Sequence, residues 1–202
     1  MVERKPGSKN NWLLWLLGII VVIVVAFFLL RDSTDTNYNG AASDSATIES
    51  EINNNWTGID PNIPVANYDE LKDTSVQVKA NNDYAVYSLK EAILFEPGKD
   101  SIGEIGAKKL AQISGSAEKR FAGGKIIIYG YTDSTGTAVS NKELALKRAD
   151  AVKSWLIRNG KVIPNRISVR TQGESNPVSP NSTVEGRAEN RRVDIVVRKK
   201  ED

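Results

Sequence analysis

The chain has 202 residues, enough for one or two modest domains, and it contains neither cysteine nor histidine. These absences exclude disulfide frameworks, Cys/His zinc sites, Ser-His-Asp triads and a lipid-modified N-terminal cysteine, so any membrane attachment must come from the polypeptide itself. The net charge of +2 is uneven, since residues 31–80 hold nine acidic against three basic side chains and residues 81–202 hold fifteen against twenty-one. The sequence therefore predicts a mildly basic module on an acidic tether.

The first predicted element is a membrane-spanning helix at residues 12–30, a run of 19 residues without a charge. At 1.5 Å per residue this helix would be about 28 Å long, close to the hydrocarbon thickness of a bilayer. Arg4, Lys5 and Lys9 precede it and acidic residues follow it, so the positive-inside rule places residues 1–11 in the cytoplasm. A cleaved signal peptide is the alternative, but its apolar core would be shorter and would end at a small-residue site.

Residues 31–82 are predicted to form a flexible acidic linker, because most of this stretch is rich in Asp, Ser, Thr, Asn and Gly. Residues 56–71, "WTGIDPNIPVANYDEL", are more apolar than the rest and include two prolines. Two interpretations of them remain open. They are either a turn-rich lead-in to the folded domain or a segment that docks on something else.

Strands and helices alternate along the folded domain, residues 83–202. The predicted elements are a strand at 84–95, a helix at 102–121, a buried strand at 125–131, a helix from Ser140 to Gly160 capped by Ser140 and Glu143, a strand at 166–174, a loop or short helix at 175–189 and a strand at 191–199. This alternation predicts a two-layer α/β domain with helices packed on one sheet.

One residue of the helix "KELALKRADAVKSWL" breaks its amphipathic pattern. Arg148 lies in the apolar face, one turn from Leu144 and from Val152. Its stem can lie along apolar surface, but its guanidinium must reach water or an anion, because a buried unpaired charge costs several kcal/mol. Arg148 therefore needs an anion nearby.

The loop before this helix contains one candidate anion, Asp133, at the carboxyl end of the buried strand. Open α/β sheets bind ligands at such strand ends. A direct Asp133–Arg148 salt bridge would satisfy both charges, and Asp133 could also serve only as a turn residue bonding its own backbone. Alternatively the two charges bracket a zwitterion, with Asp133 holding an ammonium and Arg148 holding a carboxylate bidentately.

The run "YGYTDSTGTAVSNKELALKRADAV" contains Thr-Asp-x-x-Gly, an Asn eight residues after the Asp, and Arg-Ala fifteen residues after it. The residues in these places are Thr132, Asp133, Gly136, Asn141, Arg148 and Ala149. Together with "GESNPV" (173–178) and "GRAENRRVDI" (186–195), the run resembles the OmpA-like C-terminal domain family over about residues 85–200. The resemblance implies the OmpA-like α/β (α+β) fold, a two-layer βαβαβ-type domain with helices packed on one mixed sheet.

This resemblance implies non-covalent binding of peptidoglycan through the diaminopimelate residue of its stem peptide. Asp133 would take the ammonium of the free stereocentre, and Arg148 would take its carboxylate. Asn141 would hydrogen-bond the ligand or hold the loop. Either Arg191 or Arg192 would add a second carboxylate contact, and the family pattern favours Arg191.

The family pattern also places Thr132 at the ligand site. The segment "ILFEPGKDSI" departs from the family, because it keeps Phe95 but has Pro97 where a second aromatic residue is common. The departure affects the far wall of the expected pocket and not its charged centre.

The sequence thus predicts a single-pass protein of the bacterial inner (cytoplasmic) membrane with its C-terminal domain in the periplasm, tethered to the cell wall. No cofactor, metal or nucleic acid is expected, while envelope protein partners and a homodimer are both compatible with the sequence. A stator-like or secretion-complex subunit is the alternative, although the span at residues 12–30 lacks the ionisable Asp of stator subunits. An enzyme would have to use a carboxylate pair such as Glu174 with Asp133, and we expect none.

Overall fold

The computed structural model describes residues 60, 62–71 and 74–200. The predicted membrane helix at residues 12–30 and the linker up to residue 59 lie outside these residues. Within the described part, no helix is both long and apolar enough to cross a membrane. The fold below belongs to the compact unit that begins at Asp60.

Five strands form one mixed sheet in the order β1-β2-β5-β3-β4. The strands are β1 (Gln77–Ala80), β2 (Tyr84–Lys90), β3 (Ile126–Tyr131), β4 (Ile167–Gly173) and β5 (Arg192–Arg198). The helices of the described residues are α1 (Glu91–Leu94), α2 (Glu104–Arg120), α3 (Ala138–Arg158) and α4 (Val184–Asn190), with a 3-10 turn at Pro164–Arg166. β3 and β4 run parallel, and the other neighbouring strands are antiparallel.

One face of the sheet packs against α2 and α3 to form the core. Alternate strand residues such as Tyr87, Ile128 and Ile195 point into this core, where Leu110 of α2 and Val152 of α3 meet them. The period of two along the strands and the amphipathic helices therefore bury their apolar sides against each other. This arrangement confirms the predicted two-layer fold with helices on one mixed sheet.

The close approach of α3 to β3 sets the position of the site. Gly130 lies near the end of β3, and a Cβ atom built on it would be 2.1 Å from the backbone oxygen of Ala145. Only glycine therefore allows the helix to lie this close to the strand. Because Arg148 follows Ala145 by about one helical turn, this contact holds Arg148 beside the carboxyl end of β3.

The predicted strand at 84–95 was too long. Sheet pairing ends where Lys90 of β2 faces Arg192 of β5. The backbone N–H of Glu91 then donates to the Arg191 oxygen at 2.8 Å, and the chain turns into the single helical turn α1. The turn changes the direction of the Glu91 side chain, which a continuous strand would have placed on the sheet.

The predicted N-terminal cap of α3 was also wrong. The helix begins at Ala138, and its cap is Thr137, whose Oγ1 accepts a hydrogen bond from the backbone N–H of Ser140 at 3.2 Å. Thr137 thus caps the helix three residues before the predicted cap, by accepting from one of its free N–H groups. Glu143, the other half of the expected capping box, instead pairs with Lys147 at 2.8 Å.

The end of the predicted linker belongs to the folded unit. Strand β1, inside the stretch 31–82, pairs with β2 at the edge of the sheet. Residues 62–71, here called the lead-in segment, run along the outer side of β1. The Ala66 N–H donates to the Val78 oxygen at 2.9 Å, and the Ala80 N–H donates to the Pro64 oxygen at 3.0 Å. This turn-rich segment therefore covers much of the β1 edge, which would otherwise be open to other strands.

The lead-in segment is fixed to α2 by an ion pair. Glu70 accepts two hydrogen bonds from Arg120, at 2.6 and 2.9 Å, and a third from Ser116 at 2.8 Å. The Arg120 guanidinium also lies 3.5 Å above the ring of Tyr68. A bidentate pair of this kind fixes geometry as well as adding energy.

We expect Glu70→Gln to lower the free energy of unfolding of the 60–202 fragment by about 1–2 kcal/mol at neutral pH. The hydrogen bonds from Arg120 lower the pKa of Glu70 below its ordinary 4.5. The stabilisation is therefore complete above the unfolded-state pKa and is lost as pH falls through the lower folded-state pKa. Urea unfolding at a series of pH values measures this effect, and the difference between the two proteins should shrink in acid.

The matched control for this experiment is Glu104→Gln, which removes an exposed pair with Lys108 on α2. Exposed pairs of this kind contribute little to stability, because solvent screens them. Equal effects of the two substitutions would contradict a stabilising role of the Glu70 contacts.

Candidate functional site

The loop that follows β3 holds Asp133 in a buried position with two partners. Its Oδ1 accepts a hydrogen bond from the Thr135 N–H at 2.9 Å, which is the bond of a turn residue. Its Oδ2 accepts a hydrogen bond from Nη1 of Arg191 at 2.6 Å. Asp133 therefore shapes its own turn and carries an ion pair, but the partner of that pair is not Arg148.

Arg148 points out of the apolar face of α3 into a buried position, with its side chain 8% exposed. Its Nη2 donates to Oε1 of Glu91, and its guanidinium carbon lies 5.8 Å from the centre of the Phe95 ring. The anion that the sequence required is therefore Glu91. Phe95, the aromatic residue kept from the family segment, lies against the same guanidinium.

Together these side chains form a chain of alternating charge, here called the charged cluster: Asp133, Arg191, Glu91 and Arg148. Arg191 joins its two halves, because its Nη1 bonds Asp133 while its Nε lies 3.3 Å from Oε2 of Glu91. The cluster brings together the start of α1, the loop after β3, the third turn of α3 and the residue that follows α4. Two positive and two negative groups thus lie side by side within one site.

Glu91 was not among the predicted site residues. It is separated from Arg148 by 57 positions, so no local spacing connects the two. The antiparallel pairing of β2 with β5 would have revealed it, because that register sets Lys90 opposite Arg192 and so brings Glu91 next to Arg191. A single sequence does not supply this register.

Asn141, at the start of α3, uses its amide to hold the loop. Its Nδ2 donates to the Asp133 backbone oxygen at 3.1 Å and to Oε2 of Glu174 at 2.7 Å. Of the two roles considered for Asn141, these bonds correspond to the one that holds the loop. They also tie up Glu174, the carboxylate that an enzymatic mechanism would have needed.

Unused hydrogen-bonding capacity is concentrated at this site. Four buried side-chain atoms of this region have no hydrogen-bond partner among the described residues: Thr132 Oγ1, Arg148 Nε, Arg148 Nη1 and Glu91 Oε2. Thr132 is otherwise fixed, since its N–H donates to the Gly173 oxygen at 2.8 Å. Because buried polar atoms are normally paired, such a concentration favours a ligand site.

The two arginines that the sequence left open lie in different surroundings. Arg191 belongs to the charged cluster, whereas Arg192 points to the opposite side of β5. The Arg192 guanidinium lies 3.7 Å from the centre of the Tyr131 ring and pairs with Asp194 at 3.2 Å. The geometry thus brings Arg191, and not Arg192, beside Asp133.

The surroundings shift the pKa values of both predicted ligand-binding charges. Burial alone would raise the pKa of Asp133, but hydrogen bonds from Thr135 and Arg191 outweigh it and lower that pKa below 3.8. Burial lowers the pKa of Arg148, and the positive charge of Arg191 adds to this effect, while Glu91 opposes it. Asp133 is therefore negative at neutral pH, and Arg148 is a cation that its site only partly satisfies.

Residues 94–191 match the OmpA family. The chain is 34% identical over 129 residues to the probable lipoprotein YiaD of Escherichia coli, and this match covers 64% of this chain and 58% of that protein. It is 44% identical over 73 residues to the peptidoglycan-binding protein ArfA of Mycobacterium tuberculosis, and this match covers 36% of this chain and 22% of that protein. The matches thus span less than two thirds of the length of these relatives.

Two solved structures are similar in fold. The periplasmic domain of Helicobacter pylori MotB matches with a TM-score of 0.56 and 28% identity, over 64% of this chain and 83% of that one. The cell wall anchor of the T6SS from Pseudomonas aeruginosa matches with a TM-score of 0.57 and 26% identity, over 65% of this chain and 93% of that one.

Proposed function

Since residues 94–191 form an OmpA family domain, we propose that this protein binds peptidoglycan non-covalently through the diaminopimelate residue of the stem peptide. The names of ArfA, a peptidoglycan-binding protein, and of the T6SS cell wall anchor support this proposal. The protein contributes no catalytic step and serves as a structural anchor.

The observation that carries the proposal is the only partly satisfied Arg148 near a negative Asp133. Two buried nitrogens of Arg148 have no hydrogen-bond partner, and guanidinium groups bind carboxylates well. Asp133 is an acceptor for an ammonium. The free stereocentre of diaminopimelate carries both groups on one carbon, so it can bind both residues at once, while Arg191 supplies a second carboxylate contact.

The remaining predicted residues position these charges. Thr132 presents an unpartnered hydroxyl next to Asp133, and we assign it a direct hydrogen bond to the ligand. Asn141 fixes the backbone of Asp133, and we assign it the role of holding the loop. Loss of either residue should weaken binding less than loss of Asp133 or Arg148.

We also propose that the helix at residues 12–30 anchors the chain in the inner membrane, with the domain in the periplasm. The membrane would then be linked to the wall through the acidic linker. Crosslinked wall presents many copies of the same zwitterion, so a tethered domain of modest affinity gains avidity. Cell fractionation with the full chain tests this location, and recovery of the protein only in the outer membrane would contradict it.

A stator-like or secretion-complex subunit is the second candidate, and the MotB and T6SS neighbours favour it. Both candidates use the domain to hold the wall, and they differ in what the rest of the chain joins. Crosslinking of the full chain in cells, followed by identification of the attached proteins, separates a simple tether from a member of a larger complex.

Binding itself is tested by co-sedimentation of the 60–202 fragment with purified diaminopimelate-type wall. This fragment contains β1 and the lead-in segment, which a fragment beginning at residue 81 would lack. We expect the fragment to pellet with intact wall and to stay soluble with glycan strands stripped of their stem peptides. Equal pelleting with both would contradict recognition of the stem peptide, and release of soluble wall fragments would indicate an enzyme.

We expect binding to be nearly constant from about pH 8 to about pH 5 and to weaken only in stronger acid. The charged form of Asp133 is the one that binds an ammonium, and its pKa lies below 3.8, so the charge is lost only as pH falls through that lowered value. Co-sedimentation in a pH series at constant ionic strength measures this dependence. Asp133→Asn should bind weakly throughout, and a loss of wild-type binding between pH 7 and 5 would point to another group.

A further inference from the structure

We infer that Glu91 is an internal substitute for the ligand carboxylate. Its side chain contacts both Arg148 and Arg191 and is displaced when the wall binds. This inference rests on the proposed function and deepens it. Glu91 would then set how tightly the site binds, because every ligand must compete with it.

The position of Glu91 is that of a carboxylate ligand. One oxygen bonds Nη2 of Arg148, and the other lies 3.3 Å from Nε of Arg191 without the geometry of a hydrogen bond. The two guanidinium groups repel each other, and the charge of Arg191 contributes to the lowered pKa of Arg148. Two neighbouring cations of this kind require an anion between them, and Glu91 is that anion.

The side chain of Glu91 can leave without disturbing the fold. Hydrogen bonds hold both backbone groups of Glu91. Its N–H donates to the backbone oxygen of Arg191 at 2.8 Å, and its own backbone oxygen accepts from the Phe95 N–H at 2.9 Å. Its side chain is 21% exposed, whereas that of Arg148 is 8% exposed. A rotation of the Glu91 side chain toward solvent therefore exposes the arginine that remains in place.

An arriving carboxylate cannot simply add to this arrangement. It would meet the negative charge of Glu91 at the same guanidinium, and like charges at such short distance oppose each other. The nitrogens Nε and Nη1 of Arg148 have no hydrogen-bond partner, but Nη2, which a bidentate contact also needs, already donates to Glu91. Binding therefore exchanges one carboxylate for another, and the difference between the two contacts sets the affinity.

The test is Glu91→Gln in the 60–202 fragment, which keeps the size of the side chain and removes its charge. We expect about threefold to tenfold tighter binding to diaminopimelate-type wall, since the competing charge is gone. The matched control is Glu189→Gln, which removes an exposed pair with Lys90 nearby and should leave binding unchanged. Equal or weaker binding by a folded Glu91→Gln variant would overturn the inference and make Glu91 a residue that positions Arg148.

A second measurement separates this inference from the proposed function. Side-chain NMR signals of Arg148 and Arg191 are followed while acetate is added as a simple carboxylate probe. Glu91→Gln should show saturable shifts at lower acetate concentration than the wild type, and identical titrations would refute displacement. If the wild type fails to bind wall, the proposed function fails, while the acetate titration still decides the role of Glu91. Glu91→Asp keeps the charge but shortens the side chain, so it should raise the affinity by an intermediate amount. It replaces Glu91→Gln in both measurements if that variant does not fold.

Discussion

Arg148→Ala and Asp133→Ala are each expected to reduce binding to diaminopimelate-type wall by about 100-fold or more, while the domain stays folded. Removing one partner of a desolvated charged contact costs about 2–5 kcal/mol, partly because the opposite group is left unpaired. Each substitution would leave one group of the zwitterion without its counter-charge. Co-sedimentation with the 60–202 fragment measures the loss, and circular dichroism with urea unfolding measures the fold.

The charged cluster explains why the fold should survive. Without Arg148, Glu91 keeps its contact with Arg191, and without Asp133, Arg191 keeps its contact with Glu91. No charge of the cluster is thus left alone by either substitution. Lys147→Ala is the matched control, because it removes a neighbouring positive charge from the exposed side of α3. If both cluster variants pellet with the wall as the control does, the binding site lies elsewhere.

The sequence predicted most of the fold because periodicity reports burial directly. The β-branched run of β3 indicated a buried strand, and β3 is hydrogen-bonded on both sides, by β5 and by β4. The edge strand β1 was missed because it has only four residues, in a polar stretch that reads as linker. Its stability comes from β2 on one side and the lead-in segment on the other, and neither contact leaves a local pattern.

The site was predicted only in part for a similar reason. Helical phase showed that Arg148 needed an anion, and the nearest acidic residue in a suitable loop was Asp133. The geometry gives each of them a different partner, Glu91 and Arg191, which come from distant parts of the chain. Local patterns therefore identified a charge that needed a partner, and only the strand register identified the partner.

The alternating charges explain how two arginines can lie side by side. A pocket that held only Arg148 and Arg191 would place two cations together with nothing between them, at a substantial electrostatic cost. Glu91 and Asp133 neutralise them in the absence of ligand. Under the proposed function, the same neutralisation would reduce affinity for the wall, which a tethered domain facing many identical sites can tolerate.

Wall that carries lysine in place of diaminopimelate is expected to bind the 60–202 fragment more weakly, by at most about 2–3 kcal/mol, the cost of leaving a hydrogen bond of Arg148 unmade. Lysine supplies the ammonium for Asp133 but has no carboxylate at that end of the side chain. Co-sedimentation with both wall types measures this difference. Arg148→Lys should reduce the ratio of the affinities for the two wall types by about tenfold, because an ammonium lacks the planar fork of a guanidinium.

Glu91 makes this experiment more discriminating. With lysine-type wall no carboxylate arrives, so Glu91 stays on Arg148 and part of the penalty is avoided. Glu91→Gln should therefore tighten binding to diaminopimelate-type wall and leave binding to lysine-type wall nearly unchanged, which widens the difference between them. Equal binding of the wild type to both walls would contradict recognition of the free stereocentre. If Glu91→Gln raised the affinity for both wall types equally, the gain in affinity would be unrelated to the ligand carboxylate.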